Sequence, residues 1–334
     1  MSNRLVETLE NRVLFHAAHV TNIIADNRGE VIFQMDHALK ASTVNGTSVQ
    51  MHTAGKDGKF GTADDAKVNG VVRYFSGNKR ITFRTNQLAA NTTYSMKLNS
   101  KRLLSDDGVK LDGEYSGGKT TGNGTAGGDT LIISKRSTTT QTARFTMATG
   151  GAFNVQLFTA ETPKNAANFM AYANSARYDS SFIHRSLPGF IVQGGGFNVS
   201  SKNTLGQVTE FGPVNNEPGV SNTRGTIALA RPDDNNPATD DKGTSQWFFN
   251  LADNSANLDK QNGGFTAFGK VTDANGLAVM DSIAAFPTIN GGGVFSNLAV
   301  QKAGTTADQV TANPSGSLVL FRRVAMLNKI VPFA

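Results

Sequence analysis

The sequence predicts a mostly β protein of two domains: an antiparallel sandwich over residues 20–116 and a closed β-barrel capped by two helices over 130–334. Three observations carry this. Short runs that alternate apolar and polar residues recur at regular spacing through the first third of the chain. The stretch GGKTTGNGTAGGD at 117–129 has six glycines in thirteen residues and no apolar side chain larger than alanine, so it reads as a flexible linker. After it, strand-like runs continue with only two helix signals, whereas a parallel α/β sheet needs a helix after nearly every strand. A length of 334 residues also exceeds what a single core usually holds.

The elements follow in chain order. Residues 1–19, MSNRLVETLENRVLFHAAH, lack the apolar core and small-residue cleavage site of an ordinary secretory signal. The segment VETLENRVLF is similar to a short leader at the start of some large bacterial surface proteins, which tilts the expectation toward an extracytoplasmic or cell-surface location. The alternative is an amphipathic first helix or a frayed tail. In the sandwich, GEVIFQM sets Val31, Phe33 and Met35 on one face. VVRYF and RITFR flank Ser76-Gly77-Asn78-Lys79 as a hairpin with Ile81 and Phe83 on one side, and TTYSMKL alternates Tyr94, Met96 and Leu98. Beyond the linker, TARFTM and AFNVQLF join through a turn at Gly150-Gly151. A helix starts with Thr162 as N-cap and Pro163 at the first position, and Ala166, Phe169, Met170 and Ala173 share one face. TIALAR, SQWFFNL and FTAFGKV read as strands, Gly276 to Ala285 as a second helix closed by Pro287, and SGSLVLFRRVAML as the last strand.

Composition removes several function classes. The net charge of +6 is spread along the chain without a basic run of five, so no nucleic-acid footprint is present. No apolar run reaches the roughly 18 residues that span a bilayer. With no cysteine, disulfides, thiol catalysis and Cys-zinc sites are excluded. KDGKFGTADD places Asp57, Asp64 and Asp65 around two glycines. Such carboxylates bind calcium or simply solvate a turn, and the spacing is not that of an EF-hand loop.

The run FIHRSLPGFIVQGGGF, Phe182 to Phe197, carries the chemistry. Arg185 and Gln193 are its only long polar side chains, set among Phe182, Leu187, Phe190, Ile191 and Val192, with His184 beside the arginine. As plain core this is costly, since each buried polar group needs a partner. As a site that grips a peptide carbonyl beside an apolar ring, it is coherent.

With TSQWFFNL at 244–251 and GFTAFGKV at 264–271, this run closely resembles the cyclophilins, the peptidyl-prolyl cis-trans isomerases, in order and spacing over about 142–326. NNEPG at 215–219 and GTIALAR at 225–231 also correspond. The resemblance implies a catalytic role for Arg185, with His184 behind it. It implies substrate-binding positions at Phe190, Ile191, Phe248, Leu258 and Phe265 around the proline, and at Gln193, Ala230, Arg231 and Gln246 along the peptide backbone. It calls for no cofactor or metal; the partners it implies are proline-containing polypeptides. Departures are Asn257 before Leu258 where an aromatic is common, Trp247 for phenylalanine, Gly196 for aspartate, Phe265 for histidine or tyrosine, and a long acidic loop from Pro232 to Gly243. The first domain is similar to bacterial Ig-like domains of surface-layer proteins, through NGTSVQ, ANTTYSMKL and the turns at 106–108 and 111–114. That similarity implies a cell-surface partner.

These residue types suit the reaction. Prolyl rotation meets a barrier of about 18–20 kcal/mol because the amide C–N bond is partly double. At the twisted midpoint the nitrogen lone pair becomes an acceptor, and a guanidinium aimed at it interacts more strongly there than with either planar state. Two alternatives stay open at this level: a proline-peptide binding module with little turnover, or a surface attachment protein carrying a passenger isomerase.

Overall fold

The computed structural model describes residues 17–118, 120–232 and 242–333. The leader segment up to residue 16 and the acidic-loop residues Asp233, Asp234, Asp240 and Asp241 lie outside these. The chain forms two compact units, one of residues up to Ser137 together with Asn328–Ala334, the other Thr138–Leu327. No helix among the described residues is long and apolar enough to cross a membrane.

The first unit has two antiparallel sheets around one core. One runs in the order Val20–Ala25, Glu30–Met35, Arg80–Arg84, Val71–Phe75; the other Ile330–Pro332, Thr130–Lys135, Thr93–Leu98, Val49–Thr53, Ala66–Val68. The period-two pattern fixes which side faces in. Val31, Phe33, Met35, Ile81 and Phe83 of the first sheet meet Tyr94, Met96, Leu98 and Ile132 of the second. The hairpin turn at Ser76–Asn78 ends with Lys79 at φ 51°.

The 117–129 stretch departs from expectation. It is not a free linker but is pinned to the first unit. Asp112 accepts from the backbone N–H groups of Asn123 and Gly124 (both 2.9 Å), and Thr121 exchanges hydrogen bonds with Val20. Asp129 bridges to Lys97 at 2.7 Å and accepts from Ser100. The chain then enters Thr130–Lys135, which pairs with Thr93–Leu98 inside the first unit instead of opening the second domain. Backbone pairing decides this: both long sides of that strand are taken, the other by Ile330–Pro332.

The second unit is built on an eight-stranded antiparallel sheet in the order Arg185–Leu187, Ile191–Gly194, Trp247–Asn250, Thr226–Leu229, Ala267–Val271, Ala152–Leu157, Thr142–Met147, Phe321–Met326. It curls but does not close, which corrects the closed barrel. The first strand is three residues long and its free side gives the Ser186 N–H to Asn297 O (2.9 Å), so no ladder forms with the last strand. Just before the first strand, the chain touches the start of the last: Phe182 bridges Leu320, the Ser180 N–H donates to Phe321 O (2.8 Å) and the Ile183 N–H to Val319 O (2.9 Å). The inner face holds an aromatic core in which Phe145 packs on Phe153, Phe169, Trp247, Phe249 and Phe321.

Two longer helices are present, Pro163–Asn174 and Ala274–Ala284, with short ones at Ser255–Leu258, Ala307–Ala312 and Pro314–Ser317 that the sequence pattern did not disclose. The first buries Ala166, Phe169, Tyr172 and Ala173. Its Thr162 hydroxyl does not cap it; it donates back to Phe158 O. The second starts two residues earlier than expected because Asp273 accepts the Gly276 N–H at 2.7 Å.

Candidate active site

Alternation along the central strands creates two faces. Trp247 and Phe249 point into the core while Phe248 between them points the other way; likewise Ile227 and Leu229 point in and Ala228 out. Cross-strand register then lines up one row on the outer face: Arg185 opposite Gln193, Gln193 opposite Phe248, Phe248 opposite Ala228, Ala228 opposite Ala267. Directly paired residues share a face, so a cation, an amide, an aromatic ring and two small residues lie in sequence across five strands. The last step depends on a break in the ladder between Ile227 and Ala228, which leaves Phe268 as the extra residue. Phe268 turns into the core and Ala267 onto the site.

The apolar end of the row is a shallow cup. Ile191, Ala228, Phe248, Leu258 and Ala267 are buried there, and Phe190, Ala230, Phe265 and Val220 pack against them half-exposed. Phe265 stands edge-on to Phe248 with ring centroids 5.7 Å apart. The wall carrying Leu258 and Phe265 is held from behind. The Phe265 N–H donates to Leu258 O (2.9 Å), and Asn222 Nδ2 donates to Phe265 O and to Asp259 Oδ1 (both 2.9 Å). Phe190 is fixed by Asn254 Nδ2, which donates to its carbonyl at 2.9 Å.

The polar end is a chain of contacts. Arg185 Nη1 donates to Gln193 Oε1 at 3.3 Å, and Gln193 Nε2 donates to Gln246 Oε1 at 3.0 Å. The Ala230 N–H donates to Gln246 O (2.9 Å), which brings Ala230 to the same edge. His184 is buried against Phe197, ring centroids 5.0 Å apart. Burial, and then the neighbouring Arg185 charge, pull its pKa down to about 4 against a hydrogen bond with Gln246 that works the other way. It is therefore neutral near pH 7 and leaves Arg185 as the cation of the row.

Arg231 is placed differently from the rim role the resemblance implies. Its side chain is turned onto the wall loop: Nη2 donates to Asn262 O (2.8 Å) and Gly264 O (2.7 Å), and the guanidinium lies 4.9 Å from the Phe265 ring centroid. It braces Phe265. The remaining residues expected from sequence come together around one row. Sequence reasoning missed Ala228 and Ala267, which make the floor, and Asn222, which ties the wall; the only available signal was the strand alternation of TIALAR and FTAFGKV.

The three acidic residues at 57, 64 and 65 accept from their own loop: Asp57 from the Lys59 N–H, Asp64 from Lys56 N–H and Thr62, Asp65 from the Gly61 N–H. Among the described residues no group of three metal-binding side chains is gathered.

The family model for cyclophilin type peptidyl-prolyl cis-trans isomerase/CLD matches residues 143–305, within the second unit. A peptidyl-prolyl cis-trans isomerase of Acinetobacter baylyi is 38% identical over 141 residues, 41% of this chain and 69% of that protein. Peptidyl-prolyl cis-trans isomerase A of Dickeya dadantii is 39% identical over 158 residues, 46% of this chain and 77% of that one. The chain belongs to the cyclophilin-type peptidyl-prolyl cis-trans isomerase family. Peptidyl-prolyl cis-trans isomerase B of Escherichia coli is similar as well, 33% identical over 144 residues that cover 41% and 81% of the two chains.

Within this cyclophilin unit the glycines of QGGGF answer to their neighbours. A Cβ on Gly194 would sit 2.7 Å from the Trp247 ring, and one on Gly195, which has φ +81°, 2.6 Å from Ser245 O. A Cβ on Gly196 would lie 2.8 Å from Cδ of Gln246. The departures Trp247 and Gly196 thus belong to one packing arrangement at the polar end of the cyclophilin site.

Proposed function

We propose that the enzyme twists X-Pro bonds over this row, with the proline ring in the cup formed by Phe190, Ile191, Phe248, Leu258 and Phe265 and the Arg185 guanidinium directed at the prolyl nitrogen. The observation that carries the reading is the row itself. It sets one cation next to an apolar cup, with Gln193 between them to orient the guanidinium and receive a backbone group. Arginine stays protonated at all working pH values, and its donors interact more strongly with a pyramidal nitrogen than with a delocalised one. The cup removes water that favours the charge-separated planar amide. Gln246 and Ala230 offer the polar edge along which the peptide backbone lies.

The first unit, with its two antiparallel sheets around one core, supports the further reading of an Ig-like sandwich of bacterial surface-layer type that holds the isomerase at a cell surface. Protease treatment of intact producing cells tests it, since a protein protected from the protease counts against surface display.

The test of the site is Arg185→Ala in a protease-free assay on a proline tetrapeptide. Turnover falls by about two orders of magnitude, the range for removing a donor that acts mainly in the transition state. Emission of Trp247, the only tryptophan, stays native. A folded Arg185→Ala enzyme at wild-type rate sinks the mechanism. Tight peptide binding by a wild type without turnover favours the binding-module reading instead.

A further inference from the structure

We infer that Asn250 is a positioning residue: it locks the two aromatic walls of the cup together and so makes the site select a five-membered imino ring over a larger or an open one. This rests on the reading of the site proposed above. The placement of Asn250 follows from its strand. It lies two residues past Phe248 and shares the outer face, and register sets it opposite Ile191 of the cup. An amide there that is 0% exposed needs protein partners. It has three. Its Nδ2 donates to Asn222 Oδ1 (3.1 Å) and Thr226 Oγ1 (2.9 Å), and its Oδ1 accepts from Asn254 Nδ2 (2.8 Å). Asn254 Nδ2 in turn reaches the Phe190 carbonyl and Asn222 Nδ2 that of Phe265, both at 2.9 Å. The Phe190 and Phe265 walls are thereby joined through one side chain. A main-chain bond runs alongside, from the Asn254 N–H to Asn222 O at 2.9 Å.

The three amides run in one direction, and Asp259 sets it. Its Oδ1 accepts from both the N–H and the Nδ2 of Asn222 (both 2.9 Å), and a carboxylate can only accept. Asn222 therefore turns its Nδ2 to Asp259 and its Oδ1 to Asn250. That in turn directs the Asn250 Nδ2 toward Asn222 and its Oδ1 toward Asn254, which is left with a donor for the Phe190 carbonyl. Breaking any link strands buried amide groups without partners, and the wall at that end gains room to move. A cup with a loose wall still holds proline but no longer rejects a ring one methylene larger. A rigid cup discriminates against that methylene by about tenfold or more.

The experiment measures kcat/KM of the full chain by exchange NMR on Ala-X peptides in which X is proline, pipecolic acid or N-methylalanine, tertiary amides that all have cis and trans forms. Wild type turns over the proline peptide about tenfold or more faster than the pipecolic one. Asn254→Ala and Asp259→Asn, at the half-buried ends of the relay, each lower that ratio about threefold or more, and the double variant lowers it no further. Asn250→Leu, which removes both amide functions at similar volume, does the same. A general loss of stability scales all three substrates alike and leaves the ratio unchanged, as does Arg185→Ala. A ratio untouched by Asn254→Ala and Asp259→Asn, additive losses in the double variant, or a wild type indifferent to ring size overturns the lock while the site reading stands. No turnover of any peptide by wild type, or Arg185→Ala at wild-type rate, overturns the site reading itself.

Discussion

A buried neutral histidine beside Arg185 makes stability of the isomerase unit depend on pH in a calculable way. His184 has a folded pKa of about 4, while an unfolded histidine titrates near 6.5. Between these values the unfolded chain binds the proton and the folded one refuses it, so unfolding is favoured progressively as pH falls. The loss starts below about 6.5 and is complete below about 4, at roughly 1.4 kcal/mol per pH unit within the window. From pH 7 to pH 4 this amounts to about 3 kcal/mol, a large part of a domain's stability. The perturbation is His184→Gln, which removes the titration. Other groups titrate in the same range, but they cancel in the comparison of variant with wild type. The assay is urea unfolding followed by Trp247 emission: this only tryptophan lies in the core of the second unit, so the first unit's transition is not reported by it. At pH 7 the variant is the less stable protein, having lost the packing on Phe197. By pH 4 the difference has moved about 3 kcal/mol in its favour. A difference constant to within about 0.5 kcal/mol across that range, or a ring titrating near 6.5 by NMR, refutes the reasoning.

Two further expectations follow from distances given above. Gly196→Ala pushes Gln246 off Gln193 and lowers kcat/KM about three- to tenfold at unchanged urea midpoint, and it adds nothing in a Gln246→Ala background; additive effects in that cycle show that Gly196 acts otherwise. Asp112→Ala removes the acceptor of two backbone N–H groups and raises subtilisin cleavage within 120–128 by about tenfold or more, whereas equal digestion of wild type and variant shows that the stretch is held by something else.

Much of this was legible in the chain, and the divisions are instructive. The period-two runs named Val31, Phe33, Tyr94 and Met96 as inward-facing because burial on one face of a strand is a local property. The assignment of Thr130–Lys135 to a domain was not, since it depends on which strands pair with it, Thr93–Leu98 on one side and Ile330–Pro332, some two hundred residues on, on the other. The glycine-rich stretch looked unattached because the group that holds it, Asp112, lies outside it in sequence. At the site, Arg185, Gln193 and Phe248 stood out by type in their motifs. The alanines under them carried no signal of their own, and the ladder irregularity that aims Ala267 is invisible without the neighbouring strand. Arg231 was in the right place with its side chain elsewhere, because the carbonyls of Asn262 and Gly264 compete for it.

The return of Ile330–Pro332 to the first sheet has a consequence for biosynthesis. That strand leaves the ribosome after the whole of Thr138–Leu327, so the first unit cannot complete its sheet until the isomerase has been made. At ordinary translation speed the delay is roughly 10–40 s, during which Thr130–Lys135 stands as an open edge. An unpaired edge over such a time invites association with other nascent chains. The isomerase unit's own last strand, Phe321–Met326, is made only a few residues ahead of Ile330–Pro332, so the two units are completed almost together at the end of synthesis.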